Sequence, residues 1–354
     1  MHIDPKSNNL VSSDGKVLVY TVEDFILNIC KSDNCFVCGA CESEKAFNDE
    51  HIIPRWVLKR FDLFGKQINL PNKVPFQYGK YVIRCCSDCN TFLGERIENV
   101  ISLGLNGDYK SSLGFFNGNR ELVFVWLCLL VTKTHLKDKF FKYDLRKPDK
   151  IGGMYNWESL HHIHCVARSV YTGCSIKPSV IGTMLLLPCH GYERLESFDY
   201  MDRFDAGVVL VRMGSYFILA VLNDRGVVKE LLKSKLEKIT GPLQVIQIRE
   251  LFARACEANL RIIDRPRYYT GKLKDENVLH IDSVTQSRIS ISPFRGDVLG
   301  SFMYGLIDDL LISSEHPKYG ADVRTQREAV KDGRWTYLFD EDGRFLDGQL
   351  LFVK

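Results

Sequence analysis

The spacing of apolar positions changes several times along the chain, and each change predicts an element. "KVLVYTV" reads as a strand and "VEDFILNICK" as a short helix after it. Residues 106–119, "NGDYKSSLGFFNGN", are rich in Gly, Asn and Ser and read as a boundary. A helix is expected from about Arg120 to Lys137. Its apolar run, Leu122 to Val131, falls short of the about 20 residues that a bilayer crossing takes, so the helix is expected to be buried. Further on, "DAGVVLVRMGSYFILAVLND" holds two β-rich runs around Met213-Gly214-Ser215, a predicted hairpin. "PLQVIQIRELFARACEANLRI" predicts a strand entering a helix whose apolar positions include Leu251, Ala255, Ala258 and Ile262. The last stretch predicts a hairpin turning at Asp342-Gly343.

These elements imply an α+β chain in four parts. Residues 1–29 are a lead-in, 30–105 a cysteine-bearing domain, 106–154 a helical and basic linker, and 155–354 an α+β domain whose role the sequence leaves open. No internal repeat or low-complexity tract appears.

Composition narrows the classes without choosing one. The chain has 354 residues and 45% hydrophobic residues, enough for a sizeable core. A formal charge of +3 permits a nucleic-acid partner but does not argue for one. The start, "MHIDPKSNNL", lacks a basic patch followed by an apolar run, so the expectation is a cytoplasmic protein without a membrane partner.

Cysteine changes the picture more. Of 12 cysteines, those from Cys30 to Cys89 cluster at short spacing, a pattern of metal ligation rather than disulfides in a reducing compartment. "CFVCG" presents Cys35 and Cys38, and "CSDCN" presents Cys86 and Cys89. Two Cys-x-x-Cys turns can close a four-sulfur structural zinc site with no open position. Cys41 and Cys85 offer alternative ligands by spacing, and Cys30 reads as a buried core residue.

Between the cysteine turns lies "DEHIIPRWVLKRF". The order Cys-x-x-Cys, Glu-His-Ile-Ile-Pro, Cys-x-x-Cys-Asn-x-x-Leu-Gly-x-x-Ile-Glu resembles the zinc-stapled HNH endonucleases of the ββα-metal fold, over about residues 30–105. The resemblance implies that His51 is the general base. It implies that Glu50 and Asn90 bind a catalytic Mg²⁺ or Mn²⁺, and that "CNTFLGERIENVI" is the helix, packing through Leu93, Ile97 and Ile101. The chemistry agrees with that assignment. Phosphodiester hydrolysis needs an activated water, a cation on the phosphate and a stabilised leaving oxygen, and a histidine with one oxygen-ligated divalent ion supplies these. Zinc and the second ion would be sorted by ligand softness.

Adjacent strand residues face opposite ways, so Glu50 and His51 share a site only if a loop or bulge bends the chain there. Ile52 and Ile53 are expected to anchor that bend and Pro54 to end the strand. The family's middle asparagine is missing from "KYVIRCC"; its role would pass to a backbone carbonyl, Asn69 or Asn72, or activity would be reduced. An insertion is expected around residues 56–78. Arg55, Lys59 and Arg60 are placed on one side of a short helix, either touching phosphates or simply solvated.

Three other clusters have plainer readings. His161, His162 and His164 with Cys165 read as locally hydrogen-bonded histidines rather than a second metal site. Cys189-His190 reads as a turn at His190-Gly191. The run from Arg265 to Arg267 reads as a helix exit packed on the core.

The resulting expectation is a DNA-nicking HNH nuclease, by family association one of antiphage defence or mobile elements. The C-terminal domain would select targets or bind a protein partner or a second copy. The alternative is a catalytically degenerate zinc module that binds nucleic acid or protein. A nuclease acting on RNA ranks lower, since no RNA-recognition motif appears.

Overall fold

The computed structural model describes residues 1–190, 198–272, 278–285, 289–307 and 323–346. Helices and strands are mixed throughout, as an α+β chain requires. Packing divides the chain into two compact units. One comprises residues 1–106, 114–180 and 268–283; the other comprises 107–113, 181–267 and 284–354.

In the first unit the helix Arg120–Asp138 is the main core element. Val123 to Leu130 are at most 2% exposed, so the apolar run is buried all round, as its lack of a polar face predicts. Among the described residues no single helix is long and apolar enough to cross a membrane. This helix packs on the helix Glu158–Ala167 and on the strand Val82–Cys86. That strand pairs antiparallel with Phe47–His51 and leads directly into the helix Ser87–Leu93. The helix continues through a π-turn, Gly94–Glu98, into Asn99–Leu105. Leu93, Ile97 and Ile101, the packing face that the resemblance implies, are buried. Residues 56–78 hold most of the short helix Arg55–Arg60 and the hairpin Gln67–Asn69 with Pro75–Gln77.

The second unit is built on a four-stranded antiparallel sheet. Val208–Met213 and Tyr216–Val221 form the predicted hairpin, with Gly214 at a left-handed φ of 68° in the turn. Both strands are buried at every position, which explains their continuous apolar runs. Leu251, Phe252 and Ala255 of the helix Val245–Leu260 share one core with Leu210 and Phe217.

Two expectations change here. The strand predicted before this helix shrinks to a bridge between Leu243 and Cys189, because the helix starts at once. Gln244 and Gln247 form a reciprocal capping box that satisfies the first turn's amides, so helix displaces strand. The stretch 106–119 is also more ordered than its composition suggests. Tyr109–Gly118 is a helix, with the Asp108 carboxylate accepting from Ser111 N at 2.9 Å. The C-terminal turn does place Gly343 at a φ of 74°, between bridged Phe339 and Phe345. The strand residues after 346 lie outside the described residues, as does Gly191 of the turn expected at His190-Gly191.

Asp224 ties the second unit's sheet to its helices. Its carboxylate is fully buried and accepts from Thr183 N at 2.7 Å, Thr183 Oγ1 at 2.6 Å and Val228 N at 2.8 Å. Removing it leaves several buried donors unsatisfied. Asp224→Ala is therefore expected to lower stability by about 3 kcal/mol, read from the urea midpoint at unchanged m-value.

Candidate metal centre and histidine site

The first cysteine turn is a loop closed on itself. Gly39 N donates to Cys35 O at 2.8 Å, and Cys35 N donates to Ala40 O at 2.9 Å. Gly39 has a φ of 81°, and a Cβ there would stand 2.1 Å from Tyr20 Oη, so glycine is required twice over. The second turn straddles a change of element. Cys86 ends its strand in extended geometry, and Cys89 follows in the first turn of Ser87–Leu93.

The sulfurs of Cys35, Cys38, Cys86 and Cys89 all lie within 4.8 Å of one another. Tetrahedral zinc with Zn–S bonds near 2.3 Å would set them about 3.8 Å apart, so small adjustments suffice for this quartet to hold a metal such as zinc. Cys85 Sγ is 3.6 Å from Cys35 Sγ but falls outside the mutually close set. Cys41 turns to Ser43 Oγ at 2.9 Å. Cys30 is buried, and burial pushes its thiol up to about 12, as suits an inert core residue.

His51 ends its strand opposite Val82, and Glu50 stands opposite Ile83. The pairing runs through both residues without interruption. The bend expected to bring their side chains together starts later, at Ile52 and Ile53, which are buried, and at Pro54, which precedes the helix. Glu50 and His51 therefore point to opposite faces. His51 packs edge-on against Phe64 with ring centroids 6.0 Å apart. Its ring nitrogens make no hydrogen bond among the described residues. Burial, helped by the neighbouring Arg55 charge, holds its pKa below the ordinary 6.5.

Glu50 faces inward and meets a partner that spacing alone did not reveal. Lys133, fully buried in the Arg120–Asp138 helix, donates to Glu50 Oε1 at 2.5 Å, Glu98 Oε1 at 3.0 Å and His51 O at 2.8 Å. Burial opposes the ammonium's charge, but Glu50 and Glu98 outweigh it and hold the lysine protonated. Burial raises Glu98 to about 7 against the pull of Lys133. A signal did exist: a lysine inside an apolar helical run needs a buried anion, and "RIE" supplies one on a facing helix.

Asn90 leans on the same strand, two to three residues before His51. Its Nδ2 donates to Asn48 Oδ1 at 2.7 Å and, more weakly, to Asp49 O at 3.5 Å. Glu50 is thus neutralised by an ammonium and the Asn90 amide is turned to Asn48. As arranged, the two do not form an open oxygen site for a divalent ion.

The remaining expectations resolve individually. Asn72 donates to Lys142 O and accepts from Val74 N, so it is engaged away from His51; Asn69 lies in the inserted hairpin. Arg55 and Lys59 are exposed one helical turn apart, whereas Arg60 turns to Leu105 O at 2.8 Å and leaves that face. His161 bonds Tyr20 O and His164 bonds Phe36 O, while His162 stacks on Tyr268 at 3.5 Å. These histidines converge on no metal position among the described residues. Arg265 donates to Asn259 O at 2.7 Å, holding the exit of the helix Val245–Leu260. No family model, curated protein or solved structure matches the chain.

Elemental analysis of the purified chain is expected to give about one zinc per molecule. Cys86→Ser should lose it, while Cys41→Ser and Cys85→Ser should keep it. Lys133→Met leaves two buried carboxylates facing each other. It should cost roughly 3–5 kcal/mol in urea unfolding, part of which a second change, Glu98→Gln, should restore.

Proposed function

We propose that the chain is a zinc-stapled HNH nuclease that hydrolyses DNA phosphodiester bonds, with His51 as the general base. One arrangement carries this reading. His51 stands at the end of a strand whose antiparallel partner runs straight into the Asn90 helix, and the four cysteines sit at the base of that ββα unit. The imidazole nitrogens make no hydrogen bond among the described residues, and burial biases the ring to its neutral form, the state a base must have to take a proton from water. Lys133 contributes by gripping the His51 carbonyl, which steadies the backbone that carries the base.

A bound Mg²⁺ or Mn²⁺ would supply charge stabilisation at the phosphate. The expected ligands Glu50 and Asn90, bonded to Lys133 and Asn48, do not fit it as arranged. Arg55 and Lys59, exposed on one helical face, suit contacts to the phosphate backbone. The second unit would serve target choice or a protein partner.

A second reading is favoured by the Glu50–Lys133 pair itself. A carboxylate already neutralised inside the fold suits a degenerate scaffold, retained for binding nucleic acid or protein.

Nicking of supercoiled plasmid separates the two readings. The nuclease reading expects Mg²⁺- or Mn²⁺-dependent nicking that His51→Ala lowers by roughly 100-fold or more. Wild-type protein that retards DNA in a gel without cutting it would instead support the binding module. The pH profile gives an independent check. A folded pKa below the unfolded value means that protonating His51 opposes the fold, so its contribution to stability is present above pH 6.5 and lost as pH falls through the folded value. The His51 ring resonances should therefore titrate below 6.5 and shift upward in Arg55→Ala, with the acid limb of any nicking activity following them.

A further inference from the structure

The peptide groups between Cys35 and Cys38 belong to no strand or helix, yet their carbonyls are buried and need donors. Two of the donors come from the far end of the first unit. His164 Nε2 donates to Phe36 O at 2.7 Å. Arg168, just past the helix Glu158–Ala167, donates from Nε to Val37 O at 2.5 Å and from Nη2 to Val17 O at 2.7 Å. Both side chains are at most 2% exposed.

Arg168 is unusual in its charge. It is a buried guanidinium whose hydrogen bonds all end on carbonyl oxygens, and no carboxylate among the described residues pairs with it. Tyr20 and Tyr171 flank it, with ring centroids 4.6 Å and 5.9 Å from its Cζ. Cation–π contact offsets only about 2 kcal/mol of the several that burying a cation costs. An anion is therefore missing from the balance. Zinc held by four thiolates has a net double negative charge, and it would lie just beyond the peptide that Arg168 grips.

We propose that Arg168 is the countercation of the four-cysteine centre and, together with His164, clamps the Phe36–Val37 peptide that carries two of its ligands. His164 acts as a donor through Nε2, because a carbonyl only accepts and that nitrogen must carry the proton; burial favours its neutral ring. The metal centre then depends on residues about 130 positions beyond its first cysteine pair, on a helix that provides no ligand. Lys45 is partly exposed and spent on Asp88 at 3.1 Å, and exposed Arg84 is spent on Glu42 at 2.7 Å, so neither substitutes.

The test uses the full chain, loaded with zinc and titrated with a chromophoric chelator, and loaded separately with Co²⁺ to read the sulfur-to-metal charge-transfer band. Arg168→Gln keeps a donor for Val37 O and removes the charge; Arg168→Lys keeps the charge and removes the planar fork. Arg168→Gln is expected to weaken zinc retention by roughly 10–100-fold, and His164→Phe by less, with far-ultraviolet circular dichroism of the loaded forms unchanged. Arg168→Lys is expected to stay within a few-fold of wild type. Wild-type retention in Arg168→Gln would overturn the proposal. If Arg168→Gln does not fold, Arg168→Lys decides alone: loss of zinc from a folded lysine variant would show that a retained charge does not hold the centre, and would overturn the proposal. A wild-type chain without the charge-transfer band would refute the four-sulfur centre and the proposal with it, while leaving plasmid nicking as a separate question.

Discussion

Four sulfurs from two distant turns meet in one place, and the geometry of the first unit follows from that meeting. Residues 39–85 form the loop that it closes. Closing a loop of that length costs about 3 kcal/mol of chain entropy, while a structural zinc site contributes on the order of 10 kcal/mol or more. A metal bound by the four cysteines would hold the ribbon's two ends together even though the ribbon has only two strands. A bare two-stranded ribbon is marginal in water, and the strand carrying His51 also rests on the Arg120–Asp138 helix through Lys133.

The helix presses on the ribbon in a chemically specific way. Lys133 sits under the strand and joins Glu50, Glu98 and the His51 carbonyl into one buried polar knot. Such knots are costly to assemble and costlier to break, because any lost partner leaves an uncompensated charge. With Glu98 raised to about 7, the knot can shed its excess negative charge near neutral pH by taking up a proton. Glu50 and His51 are neighbours in sequence with opposite occupations. The first is spent inward on the fold; the second lies half-buried on the opposite face, with no hydrogen bond to its ring nitrogens among the described residues.

The cysteine quartet was legible because its spacing is local: each Cys-x-x-Cys turn is written within a few residues, and only the meeting of the two turns is tertiary. The buried helix and the β-hairpin at Gly214 were legible for the same reason, since periodicity of two or 3.6 is a local property. The capping box at Gln244 was local too, but it competed with an apolar pattern that also suits a strand. Apolar periodicity alone did not arbitrate between them.

By itself, then, the chain's order of residues determined which sulfurs could gather, where an imidazole would stand beside a carboxylate, and which helices would be buried. Only the tertiary structure decided what those groups face. It gave Glu50 an ammonium from residue 133 and turned Arg60 inward to Leu105. It also brought Arg168 and His164 onto the first cysteine turn. The physical reason is that desolvation forces every buried charge to find a partner. The partner is chosen by which surfaces pack together, a fact that no local spacing records.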